Sequence, residues 1–185
     1  MNTKLYLLIL LLNLFMVSCG GEVFPKPKAM LRLDYPESSA ELLVTEKFQF
    51  EYNALAEIKK NKNFDVTLDY PSMKGSIFIT YKEVNHNLEE LLADAQKLSY
   101  EHVVKADNIT EQPFINEKDK VYGMFYEVLG DAASQAQFYA TDSTRHFLTG
   151  SLYFRVKPNY DSIYPAAIYL QKDIRRILES LRWKE

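Results

Sequence analysis

Four residues with reactive side chains fall within five positions: Asp142, Ser143, Arg145 and His146, inside the stretch QFYATDSTRHFLTGSLYF at 137–154. A hydroxyl, an imidazole and a carboxylate are the groups of nucleophilic hydrolysis, where a base activates the nucleophile and an acid orients the base. Those groups ordinarily converge from separate parts of a chain, and neighbours on one turn reach that geometry poorly. No Gly-x-Ser-x-Gly elbow surrounds Ser143. The other reading is a hairpin tip. With Ser143 and Thr144 at the tip, the Asp142 carboxylate accepts a hydrogen bond from the amide two residues on, an Asx-turn. That accounts for Asp142 and Ser143 without catalysis and leaves Thr141, Asp142, Ser143, Arg145 and His146 as a turn motif or interaction surface. The turn is the expected reading; a hydrolase using Ser143 and His146 is the alternative.

Other chemistries find less support. His86, His102 and His146 stand singly, with no His-x-x-x-His pair or carboxylates at ligand spacing, so no metal site is expected. Six glycines form no phosphate loop. No catalytic residue and no cofactor beyond a covalent lipid is therefore expected. Tyrosine and phenylalanine are abundant enough for a ligand-binding groove, a further alternative. Most of them alternate in strands, however, where they would face a core.

The elements that would position the tip follow from hydrophobic periodicity. Leu31, Leu33 and Tyr35, then Phe48, Phe50 and Tyr52, then Phe64, Val66, Leu68 and Tyr70 recur at alternate positions, the spacing of half-buried strands. Each set ends in proline or asparagine, which stops a strand and starts a turn. Ile77, Ile79 and Tyr81 make a fourth strand, paired with the third across Pro71 to Lys74. At Asn87 the period changes. Asn87 with Glu90 has the spacing of a capping box, and Leu88, Leu91, Leu92, Ala95 and Leu98 share one face of a helix expected over 88–105. Val121 to Leu129 is apolar on both faces, which predicts a central strand covered on both sides. Phe138 to Thr141 and His146 to Val156 flank the tip as strands. A last helix, capped by Ser162 with Pro165 in its first turn, carries Ala167, Leu170, Ile174, Ile177, Leu178 and Leu181 inward and Lys172, Arg175, Arg176, Arg182 and Lys184 outward. The result is an α+β fold, a largely antiparallel sheet packed by an internal helix and a C-terminal helix, of the Mog1/PsbP-like type.

The N-terminus sets the compartment. Lys4 precedes an apolar run, Leu5 to Val17, too short for a mature membrane span, and the run ends in Ser18-Cys19-Gly20. This is the pattern of a lipoprotein signal, removed as residues 1–18. Cys19, the chain's one cysteine, becomes the acylated end, which accounts for an otherwise unpaired exported thiol. Residues 19–28, with Pro25 and Pro27, read as a lipidated tether, and 29–185 as a single domain. The chain has 22 Lys and Arg against 25 Asp and Glu, a balance that disfavours nucleic acid as a partner.

Several segments together resemble one family. They are Pro25-Lys26-Pro27-Lys28 before Arg32-Leu33-Asp34-Tyr35-Pro36, the block from Thr141-Asp142-Ser143-Thr144-Arg145-His146-Phe147-Leu148 to Leu152-Tyr153-Phe154, then Asp161-Ser162-Ile163-x-Pro165, and the terminal Leu181-x-Trp183-Lys184. Over nearly the whole mature chain they resemble the gliding-motility lipoprotein GldD family of Bacteroidota. Thr149 departs from the basic residue expected there. The resemblance implies an outer-membrane-anchored lipoprotein bearing acyl chains such as palmitate. It further implies a non-enzymatic accessory or assembly factor for gliding motility and type IX protein secretion. Implied partners are other gliding and secretion lipoproteins and their machinery, together with the membrane through the lipid anchor. No acidic run follows Cys19, so the expected side is the periplasm.

Overall fold

The structure, a computed structural model, describes residues 33–37, 39–60, 62–101, 105–157 and 159–184. Cys19, the signal segment, the tether and His102 lie outside the described residues. Strands β1 (Ala40–Val44), β2 (Phe48–Asn53), β3 (Glu57–Lys60), β4 (Val66–Tyr70) and β5 (Gly75–Glu83) lead into helix α1 (Leu88–Tyr100). Strands β6 (Ala106–Asn116), β7 (Val121–Gly130), β8 (Ser134–Thr141) and β9 (His146–Phe154) follow, then helix α2 (Tyr160–Ser180) and the two-residue strand β10 (Arg182–Trp183). All pairings are antiparallel, in a seven-stranded sheet ordered β3-β4-β5-β9-β8-β7-β6 and a three-stranded sheet ordered β1-β2-β10.

Alternation explains how the layers close. On β5 the side chains of Ile77, Ile79 and Tyr81 point to one face, and Leu148 and Leu152 of β9 meet them across the ladder. Phe48, Phe50 and Tyr52 of β2, with Leu170, Ile174, Ile177 and Leu178 of α2, seal that face into the main core. Burying a Leu, Ile or Phe side chain contributes ~1.5–3 kcal/mol. The opposite face of the large sheet carries α1, whose Leu91 and Ala95 pack on Phe147, bordered by Leu88, Leu92 and Tyr139.

Several sequence expectations need correction. Residues 33–37 form no strand; Tyr35 instead packs on Tyr169 at 5.2 Å, and Pro36 O accepts a hydrogen bond from the Tyr169 hydroxyl (2.8 Å). Helix α1 ends at Tyr100, short of 105, because β6 starts at Ala106. Asn87 does not cap α1 through its side chain: its Oδ1 accepts from the N–H of Asn85 (2.8 Å), drawn back into the preceding turn. Helix α2 begins at Tyr160 after Asn159, so Ser162 lies inside its first turn and donates its hydroxyl to Asn159 O (2.9 Å). Strand β7 is covered on both faces, with Val121 and Phe125 on one and Tyr126 and Val128 on the other, but it is second from an edge.

Candidate functional site

The hairpin joining β8 to β9 is built around the carboxylate of Asp142. Oδ1 accepts from the backbone N–H groups of Thr144 (2.9 Å), Arg145 (2.8 Å) and His146 (2.8 Å), and Oδ2 accepts from the Thr144 hydroxyl (2.9 Å). The bond from Thr144 is the Asx-turn expected from the spacing. Thr141 closes the turn from below: its hydroxyl donates to His146 O (2.6 Å) and accepts from the Ser143 N–H (2.9 Å). Ser143 sits at φ 65°, in the left-handed region that the turn requires and that most residues avoid. Burial alone would raise the Asp142 pKa. The amides of His146, Arg145 and Thr144 outweigh it and hold the carboxyl below its usual range.

Beneath the tip, His146 is 4% exposed. Its Nδ1 lies 2.8 Å from the Tyr81 hydroxyl, and its ring stacks on Trp183 with centroids 5.2 Å apart and planes 5° from parallel. Nε2 is buried without a hydrogen-bond partner. Desolvation lowers the His146 pKa, although Asp142 and Glu83 pull it the other way, so the ring is neutral at pH 7. Tyr81 is pushed up to about 12, chiefly by burial. Strand β10 is fixed above this ring: the Trp183 indole donates to Lys120 O (3.0 Å), Arg182 pairs with Asp119 (2.8 Å), and the Lys184 N–H reaches Lys47 O (2.8 Å). Lys47 in turn pairs with Glu83 (2.7 Å), which faces His146 in the β5–β9 register.

The structure thus brings together all five residues singled out from the sequence, but as a scaffold. The Tyr81 hydroxyl occupies His146 Nδ1, and no hydrogen bond joins Ser143 to His146. Arg145 is exposed, while its backbone carbonyl accepts from the Val84 N–H (2.9 Å) and so ties the tip to the end of β5. An open groove of about 710 Å³ lies between the tip and the start of α1, lined by Val84, His86, Asn87, Ser143 and Thr144 among others. Its lining is mixed, Val84 and Leu88 beside mostly polar and acidic residues, and it is open to solvent. Among the described residues no group of histidines, cysteines and carboxylates is arranged to hold a metal.

Two buried polar clusters escaped the sequence reading. Asp69, on β4, accepts from Lys59 (2.9 Å), Arg155 (2.7 Å) and Ser76 (2.8 Å), and these bonds, led by Lys59, hold its carboxyl far below the usual range. Asn53 donates to Asp173 (2.8 Å) and to the Tyr169 hydroxyl (3.0 Å), linking β2, α2 and the segment at Pro36. Burial raises the Asp173 pKa. The available signals were the Leu-Asp-Tyr-Pro and Phe-Glu-Tyr-Asn endings, which looked like turns.

Taken together, fold and tip define a single α+β domain in which the segment of clustered reactive side chains holds a hairpin in shape. The family model for the gliding motility lipoprotein GldD matches residues 20–183, and the chain belongs to that family. Comparison with curated proteins finds no match. Among solved structures the chain is similar to the solution structure of cyanobacterial PsbP (CyanoP) from Synechocystis sp. PCC 6803, with 8% identity and a TM-score of 0.46, over 91% of this chain and 99% of that one. The α+β class rests on the strands and helices themselves, and no function is carried across from CyanoP. Among the described residues no helix is long and apolar enough to cross a membrane.

Proposed function

We propose that this chain is an accessory or assembly factor for gliding motility and type IX protein secretion, with no catalytic activity of its own. It is held at the outer membrane by lipid on Cys19, with its domain in the periplasm. The family match over 20–183 is the observation that carries this reading. The tip geometry supports the non-enzymatic part, since the Asp142 carboxylate is saturated by turn amides and His146 is engaged by Tyr81 and Trp183. The apolar run ending at Cys19 supports the anchor. Partners are other gliding and secretion lipoproteins and the machinery they serve. Deleting the gene is expected to reduce export of proteins bearing type IX sorting domains, and gliding where the cell glides. Normal export in the deletion strain would sink the proposal.

A further inference from the structure

Strand β1 is an open edge of the fold and, unlike the charged edge β3 and the polar, proline-bearing edge β6, it is largely apolar. Among the described residues no strand pairs with its outer edge. The direction of its backbone groups follows from β2. The Glu51 N–H donates to Ser180 Oγ (2.8 Å), and Gln49, two residues earlier, pairs with Arg182 of β10, so Glu51 and Gln49 turn their backbone groups away from β1. In an antiparallel ladder hydrogen-bonded and non-hydrogen-bonded pairs alternate. Leu42 opposite Glu51 and Val44 opposite Gln49 therefore direct their own N–H and C=O groups to the open edge, as does Ala40 opposite Asn53. The same three residues share one side-chain face, on which Leu42 is 56% and Val44 43% exposed. An apolar edge with unpaired backbone groups is a template for another strand.

We propose that this edge pairs with β1 of a second copy of the chain, antiparallel about a two-fold axis at Leu42. The sequence of β1 is self-complementary in that register. Leu42 meets Leu42 and Ala40 meets Val44, each pair exchanging both backbone bonds, and the strip of side chains on that face is wholly apolar. On the other face Glu41 comes opposite Leu43 of the second copy, so no like charges are apposed. The groove of about 560 Å³ at the Val44 end of the strand carries Lys60 together with Glu46 and Asp65, so the pairing rests on the apolar strip and the backbone bonds and not on charge. A shift of register by two residues shortens the overlap and opposes Leu42 to Val44.

The position of the tether fits this pairing; that part rests on the lipid anchor proposed above. The two Ala40 residues would stand ~13 Å apart at 3.3 Å per residue. From Cys19 to Leu33 about fourteen residues reach at most ~50 Å, so both anchors attain one bilayer. Confinement to that surface raises the effective concentration of copies, which a short edge pairing needs.

The test uses the full lipoprotein in its own membranes. With Cys19 acylated the wild type has no free thiol, and Leu42→Cys supplies one. Copper-phenanthroline oxidation is expected to yield a disulfide-linked homodimer from Leu42→Cys, and monomer from Ile115→Cys, a still more exposed position on β6. Adding Val44→Lys to Leu42→Cys places a charge in the apolar strip and is expected to cut the dimer fraction about fivefold or more. Val44 is exposed, so this change leaves Tm nearly unchanged. A dimer yield at Leu42→Cys no higher than at Ile115→Cys overturns the proposal. So does a yield indifferent to Val44→Lys, or a Leu42→Cys thiol shielded from maleimide without dimer, the sign of a different occupant such as residues 20–32. Wild-type protein oxidised in parallel, with membrane fractionation, reads the anchor separately: dimer there would reveal an unacylated Cys19.

Discussion

Asp142 contributes to this protein by giving one carboxylate oxygen to three consecutive turn amides. Removing it leaves those N–H groups to find water in a tight turn. Asp142→Ala is expected to cost ~1–3 kcal/mol, the penalty for stranding hydrogen-bonding groups, read as a fall in Tm. His146 makes a different prediction. Its folded pKa is depressed below the ~6.5 of an unfolded chain, so the unfolded state takes up a proton first as pH falls. Stability is then full above about pH 6.5 and declines as pH drops through that value towards the folded pKa, by at most ~1.4 kcal/mol per pH unit from this group. Denaturant unfolding at pH 7.5, 6.5 and 5.5 should show the decline, and His146→Phe, which keeps a ring against Trp183, should flatten it. An unchanged slope in that variant would count against a buried neutral His146. Both effects reside in the tip's shape, which the sequence expressed well. The spacing of Asp142 and Thr144 is enough for an Asx-turn because the bond is local. The Tyr81 and Trp183 partners of His146 come from 65 and 37 residues away and were not legible.

At the scale of elements, the strands around the tip depend on close approach. A Cβ on Gly150 would lie 2.0 Å from the ring of Phe138 across the β8–β9 ladder. Gly150→Ala therefore forces Phe138 out of its place, with an expected loss of ~1–3 kcal/mol or more from overpacking, measured by thermal unfolding. What could be read in advance was whatever alternates strongly. The strands Phe48–Asn53, Val66–Tyr70 and Gly75–Glu83 and the stripe of α2 follow from period two and period 3.6, because each buries one face. Strands β1, β3 and β6 were not read, since each is an edge strand. Glu57–Lys60 is mostly charged, Ala106–Asn116 is polar and carries Pro113, and Ala40–Val44 shows a run of apolar residues in place of alternation. The expected strand at Leu33 and Tyr35 failed for the opposite reason. Its alternating residues bury little, and Tyr35 finds Tyr169 as a partner without joining a sheet. Two of the basic residues expected on the outer face of the last helix have partners: Arg175 on α2 pairs with Gln112 and Glu127, and Arg182, which lies on β10 beyond the helix, pairs with Asp119.

For the whole molecule, the N-terminal segment and the domain are joined through Tyr169, which holds Pro36 O while receiving the amide of Asn53. Tyr169→Phe keeps the ring stack on Tyr35 but removes that hydroxyl link. It is expected to cost ~0.5–1.5 kcal/mol and to expose residues 33–37 to proteolysis faster than the strands. A rate equal to wild type would assign the segment's attachment to ring packing alone. The chain belongs to a family of gliding motility lipoproteins. Its most reactive-looking segment, Thr141 to His146, has an architectural part. The most direct test is complementation of a deletion strain with Ser143→Ala at matched protein level, scored by export of type IX substrates. The hydroxyl of Ser143 makes no hydrogen bond to His146, so export is expected to return to the wild-type level. Loss of export with Tm unchanged would contradict the account and make Ser143 a reacting group.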